Sequence, residues 1–514
     1  MMERLRPVTA DDARLVFAWR NDPQIIAVGT LQRSVTWDEH EEWFKETVGG
    51  ERRKMFIVQE GDEPIGQVRF ERMDGGQCAI SVYLLEKFTG KGLGVDAIRY
   101  GCWEICRHWN IQKIVACVRS DNKHARSAFL KAGFLEQPGA SACPGGHAEL
   151  VFSSTAAVPH NRLSFGEEAA RDVAGVVASG WVAAGPKVLR LEEELARASG
   201  RRFAVCVGSG LGALRLALRA LGIGPGDEVI VPAYSCVALP NAVLTTGAAP
   251  VPVEVTRGEW NLDPRAVSKA VTARTKAVIA VHTFGLIARV PQLRHDDIPV
   301  IEDCAHAFGI SVDGKPVGSL GAIAVSSFYA TKLVGGGEGG AVFTDKNEIA
   351  EFVGQSRNYD EQAPSGLCLK DKMNDMEAAL ALNQVRQLPS ILKRRREIAQ
   401  CYDEMLRPLA EATGLFRVPD PSSERVWYRY AMEMASADAE RVIDELKRYG
   451  IDAQKPVTDW RPEMERASCP VANQAYASLV SLPLYPTLTA DEQQRVWYAF
   501  SAVVRRLPGS ARVS

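Results

Sequence analysis

The chain has 514 residues, 46% of them hydrophobic and 24% charged. At about 150 residues per domain, that length predicts roughly three domains, and the composition excludes wholesale disorder, a collagen-like fibre and a coiled coil. Lys and Arg number 61 against 63 Asp and Glu, so no bulk field points to nucleic acid or an anionic membrane surface.

In chain order, Thr9 caps a helix running to Ala18, with Ala13, Val16 and Phe17 at helical spacing. Met55–Val58 and Pro64–Phe70 read as strands joined by a Gly61-Asp62 turn, a predicted hairpin. Cys78–Leu85 is a third strand. The Gly-rich stretch Thr89–Gly94 and a helix over Asp96–His108 follow. Ile111–Val118 is a fourth strand, and Asn122–Ala132 a helix closed by Gly133. The run 137–146, with two prolines and three glycines, predicts a loop before a short strand at His147–Ser153, and Thr155–His160 reads as a linker. From about 161 the chain changes to longer β-α units. Val205–Gly208, Glu228–Pro232, Lys276–His282 and Val300–Asp303 are apolar strands, and their alternation with helices predicts a mostly parallel sheet. A smaller α+β segment follows about 405. The expected domains are therefore 1–155, a linker at 156–160, 161–405 and 406–514.

The eleven cysteines are scattered and form no C-x-x-C pair. Neither a zinc ribbon nor any other metal site is expected, the thiols read as reduced, and the protein as cytoplasmic. The N-terminal stretch is charged from residue 3 and lacks the apolar core of a secretory leader. No run of about 18 apolar residues is present to span a membrane.

Thr89-Gly90-Lys91-Gly92-Leu93-Gly94 lies between a strand and a helix. Backbone N–H groups at such a helix start are free to bind an anion, and glycine admits its close approach. A plain tight turn is the competing reading. Together with Trp19-Arg20-Asn21-Asp22-Pro23, the run Glu39–Phe44 and the stretch from Asn122 through Ala125–Phe134, residues 1–155 resemble the GCN5-related (GNAT) acetyltransferases that act on ribosomal proteins or amino sugars. The resemblance implies that Gly90, Gly92 and Gly94 cradle the pyrophosphate of acetyl-CoA. It implies that Asn122 lines the pantetheine arm, and that Trp19 and His40 border the substrate. Two residues depart from the family pattern: Thr89 replaces a Gln or Arg, and Phe129 replaces a Tyr that often serves as general acid. His40 and Glu41 are candidates for acid–base work, against the simpler reading of a charged helix surface.

The second constellation is Ser326-Ser327-Phe328-Tyr329-Ala330-Thr331-Lys332, followed by Leu333-Val334 and the glycines 335–337, 339 and 340. Glycine resists helix and strand alike, so the chain here folds around something. A shielded lysine can attack a carbonyl and form a Schiff base. Upstream, Glu302-Asp303-Cys304-Ala305-His306 follows an apolar strand, and a carboxylate at the C-terminal end of a parallel strand points into the ligand crevice. Gly208–Gly212 opens a helix, which suits a single phosphate. With Gly224–Pro232, His282-Thr283-Phe284-Gly285 and Ser481–Pro486, residues 160–510 resemble the DegT/DnrJ/EryC1/StrS sugar aminotransferases, fold-type I enzymes of pyridoxal phosphate (PLP).

That resemblance implies a Schiff-base Lys332, an Asp303 paired with the pyridine nitrogen and a His306 near the ring hydroxyl. It places the phosphate on Ser327 and the Gly210-Leu211 backbone, and Asn358 at the cofactor of a second subunit. Gly185, at the end of the Trp181–Gly185 loop, would border the sugar nucleotide. Leu211 stands where the family has Thr, and Cys236 where an aromatic residue stacks on the ring, with Tyr234 a candidate replacement. Trp427-Tyr428-Arg429-Tyr430 reads as core or as sugar-facing, core being the simpler reading.

The expected fold is thus α/β throughout: a GNAT-type domain, then a large α/β aminotransferase domain with a mostly parallel sheet and a small C-terminal α+β domain. The expected function is bifunctional. Glutamate donates an amino group to a nucleotide-linked keto sugar, acetyl-CoA then acetylates the amino sugar, and the protein is a homodimer. Two alternatives stand beside it: the N-terminal domain acetylates another amine, such as a protein N-terminus, or is a degenerate binding or oligomerisation module.

Overall fold

A computed structural model describes residues 5–28, 33–109, 111, 113–136, 147–153, 157–295, 297–358, 369–421, 425–436 and 438–508; the loop expected at 137–146 lies outside them. Internal contacts divide the chain into two units. The first is Met1–Val158 with Glu445–Ile451 and Tyr498–Ala502, and the second is the remainder.

In the first unit the expected hairpin forms between β2 (Arg53–Glu60) and β3 (Glu63–Met73), with Gly61 at φ 60° in the turn. These join β1 (Leu5–Pro7), β4 (Gln77–Leu84), β5 (Lys113–Arg119), β6 (Leu135–Glu136) and β7 (His147–Ser153) in the order β1-β2-β3-β4-β5-β7-β6. Alternation along each strand separates the two faces. Phe56, Val68 and Phe70 pack with Ile98, Cys102 and Ile105 of α4 (Leu93–His108). Met55 and Ile57 pack on the other face with Val16 and Trp19 of α1 (Ala13–Arg20) and Phe44 of α3 (Trp37–Gly49). A short helix, α2 (Pro23–Val28), lies between α1 and α3 in sequence, and α5 (Lys123–Lys131) follows β5.

The second unit is built on a seven-stranded sheet. Its strands are β8 (Phe203–Val207), β9 (Glu228–Pro232), β10 (Ala249–Val253), β11 (Thr275–Val281), β12 (Val300–Asp303), β15 (Ile323–Ser327) and β16 (Gly340–Thr344), in the order β10-β9-β11-β12-β15-β16-β8. The hairpin β13 (Ser311–Val312) and β14 (Lys315–Pro316) interrupts the series. Pairing is parallel from β10 through β15, and β16 runs antiparallel to both its neighbours. Both faces are covered, which is why the strands read as continuous apolar runs. After α6 (Gly166–Ser179) and α7 (Pro186–Ser199), helices α8 (Gly210–Ala220), α9 (Ala238–Leu244) and α11 (Asn347–Ser356) pack on one face. Helix α7, α10 (Pro264–Ala270) and the long α12 (Asp375–Thr413) pack on the other. A three-stranded sheet of β17 (Phe416–Arg417), β18 (Tyr430–Met434) and β19 (Leu479–Leu482) follows.

The two units meet in the chain between Val158 and Pro159, within the stretch read as a linker, where Val158 is buried and its N–H donates to Gly450 O at 2.9 Å. One expectation is corrected here. Cys117 is disulfide-bonded, whereas Cys78, Cys102, Cys106, Cys206, Cys236, Cys304, Cys401 and Cys469 are free thiols. Among the described residues, no helix is long and apolar enough to cross a membrane.

Candidate active site

In the second unit the chain after β15 folds back on itself. Phe328 N donates to Gly339 O, Ala330 N to Gly337 O and Gly336 N to Phe328 O, all at 2.7–2.9 Å. This closed loop presents Lys332, whose Nζ lies 3.1 Å from His306 Nε2. His306 stacks on Tyr428 at 4.1 Å between ring centroids and 14° between planes, and Phe284 stacks at 6.2 Å. Burial, reinforced by the charges of Lys332, Arg429 and His282, holds the imidazole well below its usual pKa and therefore neutral. With Nζ donating to Nε2, the ring proton sits on Nδ1, which is buried and has no partner among the described residues.

Asp303 ends β12 and is buried. Burial raises its carboxyl pKa above the ordinary value, opposed by the Ala305 N–H at 3.0 Å, by Lys332 and by His282. Its neighbour Glu302 faces the core and accepts from His282 Nε2 at 3.0 Å, Gly318 N at 2.7 Å, Leu320 N at 2.8 Å and Gly321 N at 2.9 Å. Burial opposes ionisation of Glu302, but these donors outweigh it and keep the pKa below the usual carboxylate value. Glu302, His282 and Cys304 approach one another as metal ligands would. Their polar atoms are already committed to protein bonds, His282 Nδ1 accepting from Ala288 N at 3.0 Å.

The expected phosphate cup is present as backbone geometry. Ser209 caps α8, its Oγ accepting from Gly212 N at 3.0 Å. Ser327 lies so close that a Cβ on Gly210 would meet its Cβ at 2.6 Å, and one on Gly340 would meet Gly210 N at 2.8 Å. The start of α8 is thus pressed against Ser327. We predict that Gly210→Ala weakens cofactor retention by roughly tenfold, the equivalent of ~1.4 kcal/mol, as measured by dialysis and cofactor absorbance.

The cup, the orphaned Nδ1, the strand-end carboxylate and the lysine fit PLP, whose phosphate, ring hydroxyl, pyridine nitrogen and aldehyde need those four groups. Cys236 lies near them and is exposed, and the charges of Lys332 and Asp303 both act on its thiol. Tyr234 does not replace the missing aromatic residue: it is buried against Tyr476, Trp260 and Phe284. Asn358 follows the C-terminal end of α11, next to Arg357, which pairs with Glu192 at 2.6 Å.

Gly185 stands at the start of α7, its N–H donating to Asp375 Oδ1 at 2.9 Å, and the same carboxylate takes Lys187 N and Val188 N, which caps the helix. Tyr428 and Arg429, read as core or sugar-facing, line a cavity of about 210 Å3 with Thr331 and with His160, Arg395 and Asp452, which sequence reasoning missed. A second cavity of about 250 Å3 reaches Lys332 and shares Asn161 and Arg395 with the first. Arg395 is buried, and its Nη1 donates to the carbonyls of Trp427, Tyr428 and Leu484. Trp427 and Tyr430 do stack in the core, at 5.6 Å.

Burial alone would raise the Tyr428 phenol, but Lys332, Arg429, a Thr331 hydrogen bond and Arg395 draw it down to about 8. The proton therefore leaves as pH rises through about 8, placing a negative charge on a side chain whose ring centroid lies 5.2 Å from Lys332 Nζ. The other tyrosines with shifted pKa all move upward. We predict a tyrosinate absorbance step near pH 8 that Tyr428→Phe removes.

In the first unit, β4 and β5 run parallel but pair only at Gln77–Ala79 with Lys113–Val115. Beyond these pairs they part, leaving a wedge in the sheet. The turn Thr89–Gly94 follows the end of β4, with Gly90 at φ 77° and Gly92 at φ 82°. A Cβ at either glycine would meet nothing within 4 Å, so conformation rather than crowding requires glycine there, while Gly94 enters α4. The first N–H groups of α4 have no intrahelical acceptor and suit an anion. Asn122 caps α5, its Oδ1 accepting from Ala125 N at 3.0 Å.

Two expected substrate residues are corrected. His40 is buried, its Nε2 donating to Ala13 O at 2.8 Å and its Nδ1 accepting from Arg20 at 3.3 Å, amid Phe17, Trp37 and Phe44. Trp19 is buried against Tyr83. Phe129 packs edge-on to Phe134 at 5.0 Å and supplies no acid.

A lysine, a strand-end carboxylate and a helix-start phosphate cup on a mostly parallel sheet define a fold-type I, PLP-dependent aminotransferase. Residues 164–501 match the DegT/DnrJ/EryC1/StrS aminotransferase family, and the chain belongs to it. Residues 4–135 match the acetyltransferase (GNAT) domain, consistent with a fusion. The chain is 32% identical to the spore coat polysaccharide biosynthesis protein SpsC of Bacillus subtilis over 383 residues, 68% of this chain and 97% of that protein. It is similar to the solved structure of DesV from S. venezuelae, at 32% identity and TM-score 0.62, covering 69% of this chain and all of that one. A third likeness is NtdA from B. subtilis with bound cofactor PMP, at 25% identity and TM-score 0.61, covering 68% and 83%.

Proposed function

We propose that this sugar aminotransferase moves an amino group from glutamate to a nucleotide-linked keto sugar, a 4-keto-6-deoxy hexose, and that its GNAT domain then acetylates the new amine. The observation that carries the first half is Lys332 at 3.1 Å from a neutral, buried His306, beside Asp303. The wedge between β4 and β5, with the glycine turn behind it, supports the second half. In this reading the domains are 1–155, 161–405 and 406–514.

When bound, PLP supplies an electron sink for the carbon losing its proton. Lys332 holds the cofactor and then carries that proton, His306 being the nearest neutral acceptor for its hydrogen bond. Asp303 keeps a proton on the pyridine nitrogen, and its burial prevents water from competing. Ser327 and the first N–H groups of α8, at Gly210 and Leu211, hold the phosphate. Tyr428 and Arg429 border the substrate beside Lys332. In the GNAT domain, Gly90, Gly92 and Gly94 hold the acetyl-CoA pyrophosphate and Asn122 lies along the thioester arm. Exposed Trp181, Leu189, Val237 and Tyr329 form apolar surface of the kind a homodimer covers, with Asn358 reaching the second subunit's cofactor. Nucleotide sugars, glutamate and acetyl-CoA would meet the enzyme in the cytoplasm.

The test is incubation with UDP- and dTDP-linked 4-keto-6-deoxy sugars, glutamate and acetyl-CoA, read by mass. An acetamido sugar nucleotide is the expected product. An amino sugar with no acetylated successor would remove the second half of the reading.

A further inference from the structure

The face of the first unit's sheet opposite α4 carries two arginines that no carboxylate among the described residues pairs with. Val68 and Phe70 point toward α4, where a Cβ on Gly101 would lie 2.8 Å from Val68. Gln67 and Arg69 therefore point the other way, alongside their cross-strand partners Tyr83 and Ser81 on β4. Onto this face α1 and α3 bring Arg20 and Trp43. The Arg20 guanidinium lies 4.0 Å from the Trp43 ring centroid and that of Arg69 5.3 Å, so two cations share one indole.

Among the described residues neither arginine pairs with a carboxylate. Arg20 donates to the neutral ring of His40. The carboxylates acting on the two are committed elsewhere: Glu39 to Arg33 at 2.9 Å, and Glu71 to Arg53 at 3.1 Å. Burial, then the charge of Arg69, lowers Arg20 to about 10. Beside them the buried Oε1 of Gln67 has no donor among the described residues. Half-buried, mutually repelling guanidiniums next to an unmatched amide oxygen are costly unless a ligand supplies an anion and a donor together.

We propose that Arg20 and Arg69 are the anion subsite for the acetyl acceptor, holding the diphosphate of a nucleotide-linked amino sugar while Gln67 Oε1 accepts from a sugar hydroxyl. This rests on the reading of the first unit as an acetyltransferase for such sugars. Two planar forks match the two phosphoryl groups of a diphosphate better than a single carboxylate. The site borders β4, the strand that parts from β5, so an acceptor anchored there lies along the wedge. The amine nitrogen attacks the thioester carbonyl, a C–N bond forms as the C–S bond breaks, and the surplus amine proton leaves so that coenzyme A departs as its thiol.

The experiment uses the full-length, PLP-loaded protein, with a dTDP-linked amino sugar and the methyl glycoside of the same sugar as acceptors. In the double variant Arg20→Gln/Arg69→Gln, KM for the linked acceptor is expected to rise roughly tenfold or more, with KM for acetyl-CoA and for the methyl glycoside held and transamination unaffected. Arg69→Lys should fall between, and serves if the double variant unfolds. A wild-type KM for the linked sugar in these variants would overturn the subsite and leave the acetylation reading intact. If the wild type acetylates neither sugar, that reading fails, and calorimetric titration with dTDP in saturating coenzyme A decides the subsite alone. Loss of one class of dTDP sites in the variants upholds it, and unchanged isotherms overturn it.

Discussion

Lys332→Ala is expected to lower transamination on the order of 10³-fold, because the group that anchors the cofactor and the group that moves the proton are one amine. Acetyl transfer to a supplied amino sugar should continue at the wild-type rate. The purified wild type should be yellow, borohydride should fix the cofactor to the peptide containing residue 332, and the variant should show neither property. Transamination that survives in Lys332→Ala would reassign the lysine.

Asp303→Asn is expected to cut transamination by about 10²-fold or more, the scale on which a buried charge partner acts. The substitution keeps the shape and the Ala305 contact at 3.0 Å but removes the charge that, in the proposed reading, would keep the pyridine nitrogen protonated. A neutral ring accepts carbanion charge poorly. Asp303→Glu separates the two requirements, since it restores the charge one methylene out of place. Near-wild-type turnover in Asp303→Asn, with cofactor still bound, would refute the role.

What could be read from the chain was what local chemistry encodes. The hairpin at Gly61, the strand Val300–Asp303 and the cap at Asn122 follow from turn residues, apolar runs and side-chain oxygen, and they stand where expected. Lys332 among its glycines and Asp303 at a strand end are likewise local signals. His160 and Arg395 were not legible, because the cavity joins His160 to Arg429 from more than two hundred residues away; for Tyr428 and Arg429 the sequence left core and sugar-facing both open, since local pattern does not say which cavity a side chain faces. His40 left a trace that the charged run concealed: His40, Phe44 and Thr47 recur at helical spacing and all are buried. Gly185 looked like a loop residue because its acceptor, Asp375, is 190 positions away. Arg20 and Arg69 meet only through the fold, one from a helix and one from a strand.

The passage from Val158 to His160 has a practical consequence for anyone dividing this protein. Val158 is tied to Gly450, and two residues on, His160 bonds Ser481 Oγ at 2.9 Å and lies against Arg429 in the cavity beside Tyr428. The first residues of the second unit therefore line this cavity. Excising the N-terminal portion at residue 160 would take an imidazole out of the aminotransferase, so a stand-alone aminotransferase fragment needs its cut placed earlier, ahead of position 157.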